Sequence, residues 1–186
     1  MVVKAPPFRF TVEQYDQMIE AGILTEDDRV ELIRGEIVPK MPSGSRHAGI
    51  IKRLISLLGS QIQGRAILDS QNPVHLADSE PEPDVAVLAP QADYYESSHP
   101  RPADVFLLIE VADSSLDRDR DEKAPLYAEN GIPEYWIVNL DDDTVLIHRG
   151  PQPEGMWASI TAHGRGDTLT IAALPGVTVA VADVVP

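Results

Sequence analysis

The spacing of apolar and polar positions changes several times along the chain, and each change marks an element. Thr11 to Ala21 reads as a short helix, with Thr11 suited to the N-cap and Gly22 to the position just past the end. From Arg29 to Val38 the residues alternate on both sides of Arg34-Gly35, the pattern of a hairpin, which Pro39 and Pro42 then break. The strongest helical periodicity lies in Ser43–Gln63, where Ile50, Ile51, Leu54, Leu57, Leu58 and Ile62 fall on one face. Extended segments are expected at Ala66–Ser70 and Val74–Ala77, and a short β-rich strand at Pro83–Leu88, ended by Pro90. Pro90–Pro102 is polar and irregular.

Val105–Val111 is a nearly continuous apolar run of strand length, as found in the middle of a covered sheet. Asp117–Asn130 reads as a further helix, stopped by Gly131 and Pro133. Tyr135–Val138 is another buried-type strand, Asp141–Asp143 a turn, and Val145–His148 a strand that returns. Met156 to Val185 reads as further short strands and turns. This order predicts an α/β (α+β) fold, a mixed sheet with helices packed against it. No repeat or linker interrupts it, and 186 residues suit a single domain spanning 1–186.

Composition narrows the chemistry. With no cysteine, disulfides and Cys-ligated zinc are excluded. Met1–Pro7 lacks the apolar stretch of a secretory signal, and no apolar run reaches membrane-spanning length, so a cytoplasmic protein with no membrane partner is expected. The net charge of -15 counts against tight non-specific binding of nucleic acid, because phosphate neutralisation supplies most of that affinity. It does not exclude a nuclease, since bound divalent cations reverse the local field.

One polar residue interrupts the apolar run. Glu110 shares a strand face with Phe106 and Leu108, where a carboxylate is costly to bury without a partner. A strand-end salt bridge would suffice to hold it. Asp84, opening its own strand after Pro83, supplies a second acid, and strand-end acids of neighbouring strands can converge on one hard cation such as Mg²⁺. Such an ion activates water and stabilises charge in phosphoryl chemistry.

Pro83-Asp84 followed by Glu110-Val111-Ala112 resembles the PD-(D/E)xK nuclease superfamily. The resemblance narrows to the Uma family of restriction-endonuclease-like proteins through Val30–Val38, His47, Pro83-Asp84-Val85 and Ile109-Glu-Val111. It continues through Asp119, Lys123, Tyr127 and Gly131 to Glu134–Val138. It implies a restriction-endonuclease-like core with flanking helices and extra antiparallel strands. It also implies Mg²⁺ or Mn²⁺ held by Asp84, Glu110 and the Val111 carbonyl, a DNA substrate and, by superfamily analogy, a homodimer. Position 112, where the superfamily carries lysine, is alanine. The resemblance puts the lysine in the following helix at Lys123, about 9 Å from the helix start at about 1.5 Å per residue. An exposed Lys123 paired with Asp119 at i, i+4 fits the same spacing.

Glu31 belongs to the resemblance as a further acidic ligand or a group holding a metal-bound water, and fits equally the polar face of a hairpin. His47 lies on the apolar face of its helix, a core position that the resemblance makes a supporting polar contact. The run Arg118–Lys123 reads as a mostly solvated first turn, and Tyr127 as packing first and substrate contact second. Three functions follow. The first is a metal-dependent endonuclease using Asp84, Glu110, Lys123 and Glu31. The second is a non-catalytic domain of that fold, acting as an oligomeric or nucleic-acid-associated interaction module. The third takes the two acids as a glycosidase pair, for which an aromatic content of 5% offers no sugar platform.

Overall fold

The computed structural model describes residues 7–42 and 44–186. Residues 1–6, read above for a signal, and Ser43, read as the start of the second helix, lie outside them. The chain opens with α1 (Val12–Glu20), fixed at its start by a capping box in which Thr11 and Gln14 satisfy each other's backbone N–H groups. A hairpin of β1 (Val30–Ile33) and β2 (Glu36–Pro39) follows. Arg34 and Gly35 both take positive φ, 50° and 74°, the tight turn whose twist suits paired strands. At Gly35 a side chain would also collide with the Phe10 carbonyl, 2.8 Å from where its Cβ would sit.

Next comes α2 (Ser45–Ile62), whose apolar stripe Ile50, Ile51, Leu54, Leu58 and Ile62 is buried, with Leu57 at its margin. It covers one face of a six-stranded sheet ordered β3 (Ile67–Asp69), β4 (Val85–Leu88), β5 (Val105–Ala112), β6 (Glu134–Asn139), β7 (Thr144–Pro151), β8 (Trp157–His163). Only β5 and β6 run parallel; the remaining neighbours are antiparallel. The parallel pair needs a crossover. It is built from α3 (Leu116–Arg118), a π-helical turn (Asp119–Lys123) and α4 (Ala124–Glu129). Leu126 and Tyr127 of α4 pack on the face opposite α2, with Leu108, Tyr135 and Ile137 beneath them. β9 (Thr168–Thr170), β10 (Thr178–Ala180) and the short α5 (Val181–Val184) close the α2 side.

Several expectations need correction. Val74–Ala77 forms no strand, because its N–H groups go to scattered partners: Val74 to the Pro81 carbonyl and Leu76 to that of Ser79, each at 2.9 Å, His75 to the Pro100 carbonyl and Ala77 to the Asn130 side chain. The crossover is not one regular helix. Pro125 has no N–H to offer the carbonyl four residues back and its ring crowds that carbonyl, and the turn before it widens, Ala124 N–H reaching Asp119 instead. Phe106 does not share the face of Leu108 and Glu110. The β4–β5 pairing slips at Leu88, which opposes Val105, and the bulge sends Phe106 against the α2-side core. The helix α5 was not anticipated.

Candidate functional site

Asp84 and Glu110 arrive together because β4 and β5 are hydrogen-bonded neighbours. Val85 opposes Ile109, so one step further Asp84 opposes Glu110, and directly opposed side chains share a face. That face is the one covered by the crossover helix. Asp84 is anchored through Oδ2, which accepts the Val111 N–H at 2.8 Å and lies 3.0 Å from His47 Nε2. Glu110 is anchored through Oε1, which accepts from Lys123 Nζ at 2.8 Å and from the Tyr127 hydroxyl at 3.1 Å. The other oxygens, Asp84 Oδ1 and Glu110 Oε2, have no hydrogen-bond partner among the described residues. Both residues line a cleft of about 960 Å³, together with Glu31, His47, Asp119 and Lys123.

Lys123 is not an exposed partner of Asp119. It is only 6% exposed, turned to Glu110, with Glu31 Oε2 at 3.6 Å. Glu31 is buried too, held by the Arg118 guanidinium at 2.7 Å and the Glu82 N–H at 3.3 Å. The hairpin-face reading of Glu31 as an ordinary solvated acid is therefore wrong. Tyr127 is fully buried and combines packing with its bond to Glu110. Val111 does not line the cleft; its contribution there is the N–H given to Asp84.

Asp119 was missed as a candidate site residue. The run Arg118–Lys123 has a solvated side at Arg120, Asp121 and Glu122, but Asp119 is buried and accepts from Ser115 Oγ at 2.5 Å. Its i, i+4 relation to Lys123 was the available signal. Burial, reinforced by Asp119 and Asp84, drives the Glu110 carboxyl well above its ordinary range, although Lys123 opposes this. Burial likewise raises Asp119. Burial alone would lower Lys123, but Glu110, Glu31 and Asp119 together outweigh it and hold the ammonium charged. The Asp84 bond, against the effect of burial, raises the pKa of His47, whose Nδ1 is buried without a partner among the described residues.

The Asp84–Glu110 pair does not join a third histidine or acidic ligand atom tightly. Among the described residues, the group of three whose ligand atoms all lie within 4.8 Å of one another is Asp16, His75 and Glu80, in the same cleft. Glu80 there is raised to about 8 by burial and by Asp16.

No curated protein matches the chain. Among solved structures it resembles one described as "a putative nuclease belonging to DUF820", from Anabaena variabilis ATCC 29413. The two share 17% identity at a TM-score of 0.72, over 94% of this chain and 97% of that one, a likeness of fold. No helix among the described residues is long and apolar enough to cross a membrane. The Uma2 family, described as "Putative restriction endonuclease", matches residues 12–182, and the chain belongs to that family.

Proposed function

We propose that the chain is an endonuclease that hydrolyses phosphodiester bonds of DNA with Mg²⁺ or Mn²⁺, at the cleft where Asp84 and Glu110 meet. The observation that carries this reading is the opposition of those two acids across β4 and β5, with Lys123 bonded to one of them at 2.8 Å. The donor set fits a hard divalent ion. Two carboxylate oxygens, Asp84 Oδ1 and Glu110 Oε2, remain without partners among the described residues. Four buried carboxylates, those of Glu31, Asp84, Glu110 and Asp119, face two permanent cations, Lys123 and Arg118. Such a site uses few protein ligands and keeps several waters. Val111 does not line the cleft, so this reading rests the ion on the two carboxylates and leaves the Val111 carbonyl out.

When bound, the ion lowers the pKa of a water and offsets charge on the phosphate. The chain's own groups do the rest. His47 and the Val111 N–H fix the orientation of Asp84, leaving Oδ1 to the cleft. Tyr127 and Lys123 fix Glu110 in the same way. The Lys123 ammonium, replacing the lysine absent at Ala112, orients the attacking water and favours negative charge as it grows on the phosphate. Glu31, itself held by Arg118, adds a second carboxylate 3.6 Å from the Lys123 ammonium.

The test is cleavage of supercoiled plasmid and single-stranded DNA with Mn²⁺ or Mg²⁺, using wild type and Glu110→Gln in parallel. Metal-dependent cleavage by the wild type, reduced at least a hundredfold in the variant, is expected. Equal cleavage by both would mean a contaminating nuclease. No cleavage by the wild type on any substrate would favour the non-catalytic interaction module, for which the alanine at 112 and the acidic balance speak.

A further inference from the structure

The same cleft carries a second set of ligand-type side chains, independent of the proposed nuclease site. Asp16 projects from α1, while His75 and Glu80 bracket the turn closed by the Leu76 N–H to the Ser79 carbonyl. The Glu80 backbone is fixed from the other side, its N–H donating to the Leu32 carbonyl at 2.7 Å. Two elements distant in sequence thus deliver one imidazole and two carboxylates to one point, with all three ligand atoms within 4.8 Å.

Two polar atoms there have no hydrogen-bond partner among the described residues: the buried Oε2 of Glu80, a residue 2% exposed, and His75 Nε2. The two stand 2.6 Å apart without the alignment of a hydrogen bond, and Asp16 Oδ2 lies 3.6 Å from the same nitrogen. A buried polar atom left this way costs free energy comparable to a lost hydrogen bond. A hydrogen bond wants its proton on the line between the two atoms, and it weakens steeply off that line. Two ligands of one ion do not need that alignment. At about 2.1 Å from a shared cation they lie about 3.0 to 3.4 Å apart, depending on geometry, and the two observed separations bracket that range.

We propose that Asp16, His75 and Glu80 form a binding site for a divalent transition-metal ion of the Zn²⁺ class, distinct from the Asp84–Glu110 pair. An imidazole nitrogen with two carboxylate oxygens suits Zn²⁺ or Mn²⁺, and Zn²⁺ binds the more tightly of the two at nitrogen and oxygen donors. Three protein ligands leave a position for water. The ion would fasten α1 to the turn that carries His75 and Glu80.

Zn²⁺ titration by calorimetry and thermal unfolding with and without Zn²⁺ test this on wild type, Asp16→Asn, His75→Gln and Glu110→Gln. One Zn²⁺ per chain that depends on Asp16 and His75 is expected to bind, with a rise in Tm. Asp16→Asn and His75→Gln should each weaken that binding at least tenfold and remove the Tm rise, while Glu110→Gln retains both. Asp16 is partly exposed, so its variant folds even if the loss of His75 disturbs the turn. No stoichiometric Zn²⁺ binding by the wild type, or binding unchanged in Asp16→Asn and His75→Gln, would overturn the proposal. Neither result depends on nuclease activity.

Discussion

Lys123 and Glu110 share a buried ion pair, and removing either leaves the other facing apolar surroundings and two further acids. Breaking such a pair from one side costs about 3 kcal/mol, whereas replacing both partners with neutral groups of similar volume costs far less. Lys123→Met is therefore expected to destabilise by about 3 kcal/mol at pH 8, and Glu110→Gln/Lys123→Met to recover most of that loss. The sign of the pH effect follows from Glu110, whose folded pKa lies above its unfolded value. The native state then holds a proton that the unfolded chain has released, so stability falls as pH rises from the ordinary carboxyl range through the folded value. Without Lys123 the folded value rises further. The cost of Lys123→Met should be small at pH 4.5, an assay condition near about the unperturbed Glu pKa, and grow toward pH 8. Urea unfolding at the two pH values checks it; equal costs at both would mean that the ammonium is not coupled to Glu110.

Elements place these residues more than local sequence does. Asp84 and Glu110 were legible singly, one after Pro83 and one inside an apolar run, but their opposition depends on the Val85–Ile109 register, a long-range pairing. The opposite case is Arg34-Gly35, where the turn is written in two adjacent residues and the hairpin follows. The crossover shows how one residue defeats a periodicity reading: Pro125 stands where a regular helix would need its N–H, and the preceding turn is π-helical. That turn contains both Asp119 and Lys123. Pro125→Ala permits a regular helix, which would rotate Lys123 relative to Glu110. The expected outcome is a stability change within about 1 kcal/mol and a drop of at least tenfold in metal-dependent cleavage. Unchanged cleavage rates would mean that the π-helical turn has no part in positioning the lysine.

Across the whole molecule, the layer order was readable because α2 and β5 carry long, consistent patterns, as the buried stripe from Ile50 to Ile62 shows. The C-terminal part was less so. β9, β10 and α5 are three to four residues each, too short for periodicity to separate strand from helix, and Leu169, Val179 and Val181 are buried only through contacts with distant parts of the fold. The net charge of -15 is a property of the whole surface and by itself repels phosphate. The proposed nuclease site requires that Asp84 and Glu110 hold one divalent ion between them. Electron paramagnetic resonance titration with Mn²⁺ tests it most directly, comparing wild type with Asp84→Asn, Glu110→Gln and His75→Gln. Of the Mn²⁺ bound by the wild type, one ion of modest affinity should disappear in both Asp84→Asn and Glu110→Gln and persist in His75→Gln; a Mn²⁺ stoichiometry unchanged from wild type in Asp84→Asn and Glu110→Gln would contradict a shared ion at that pair.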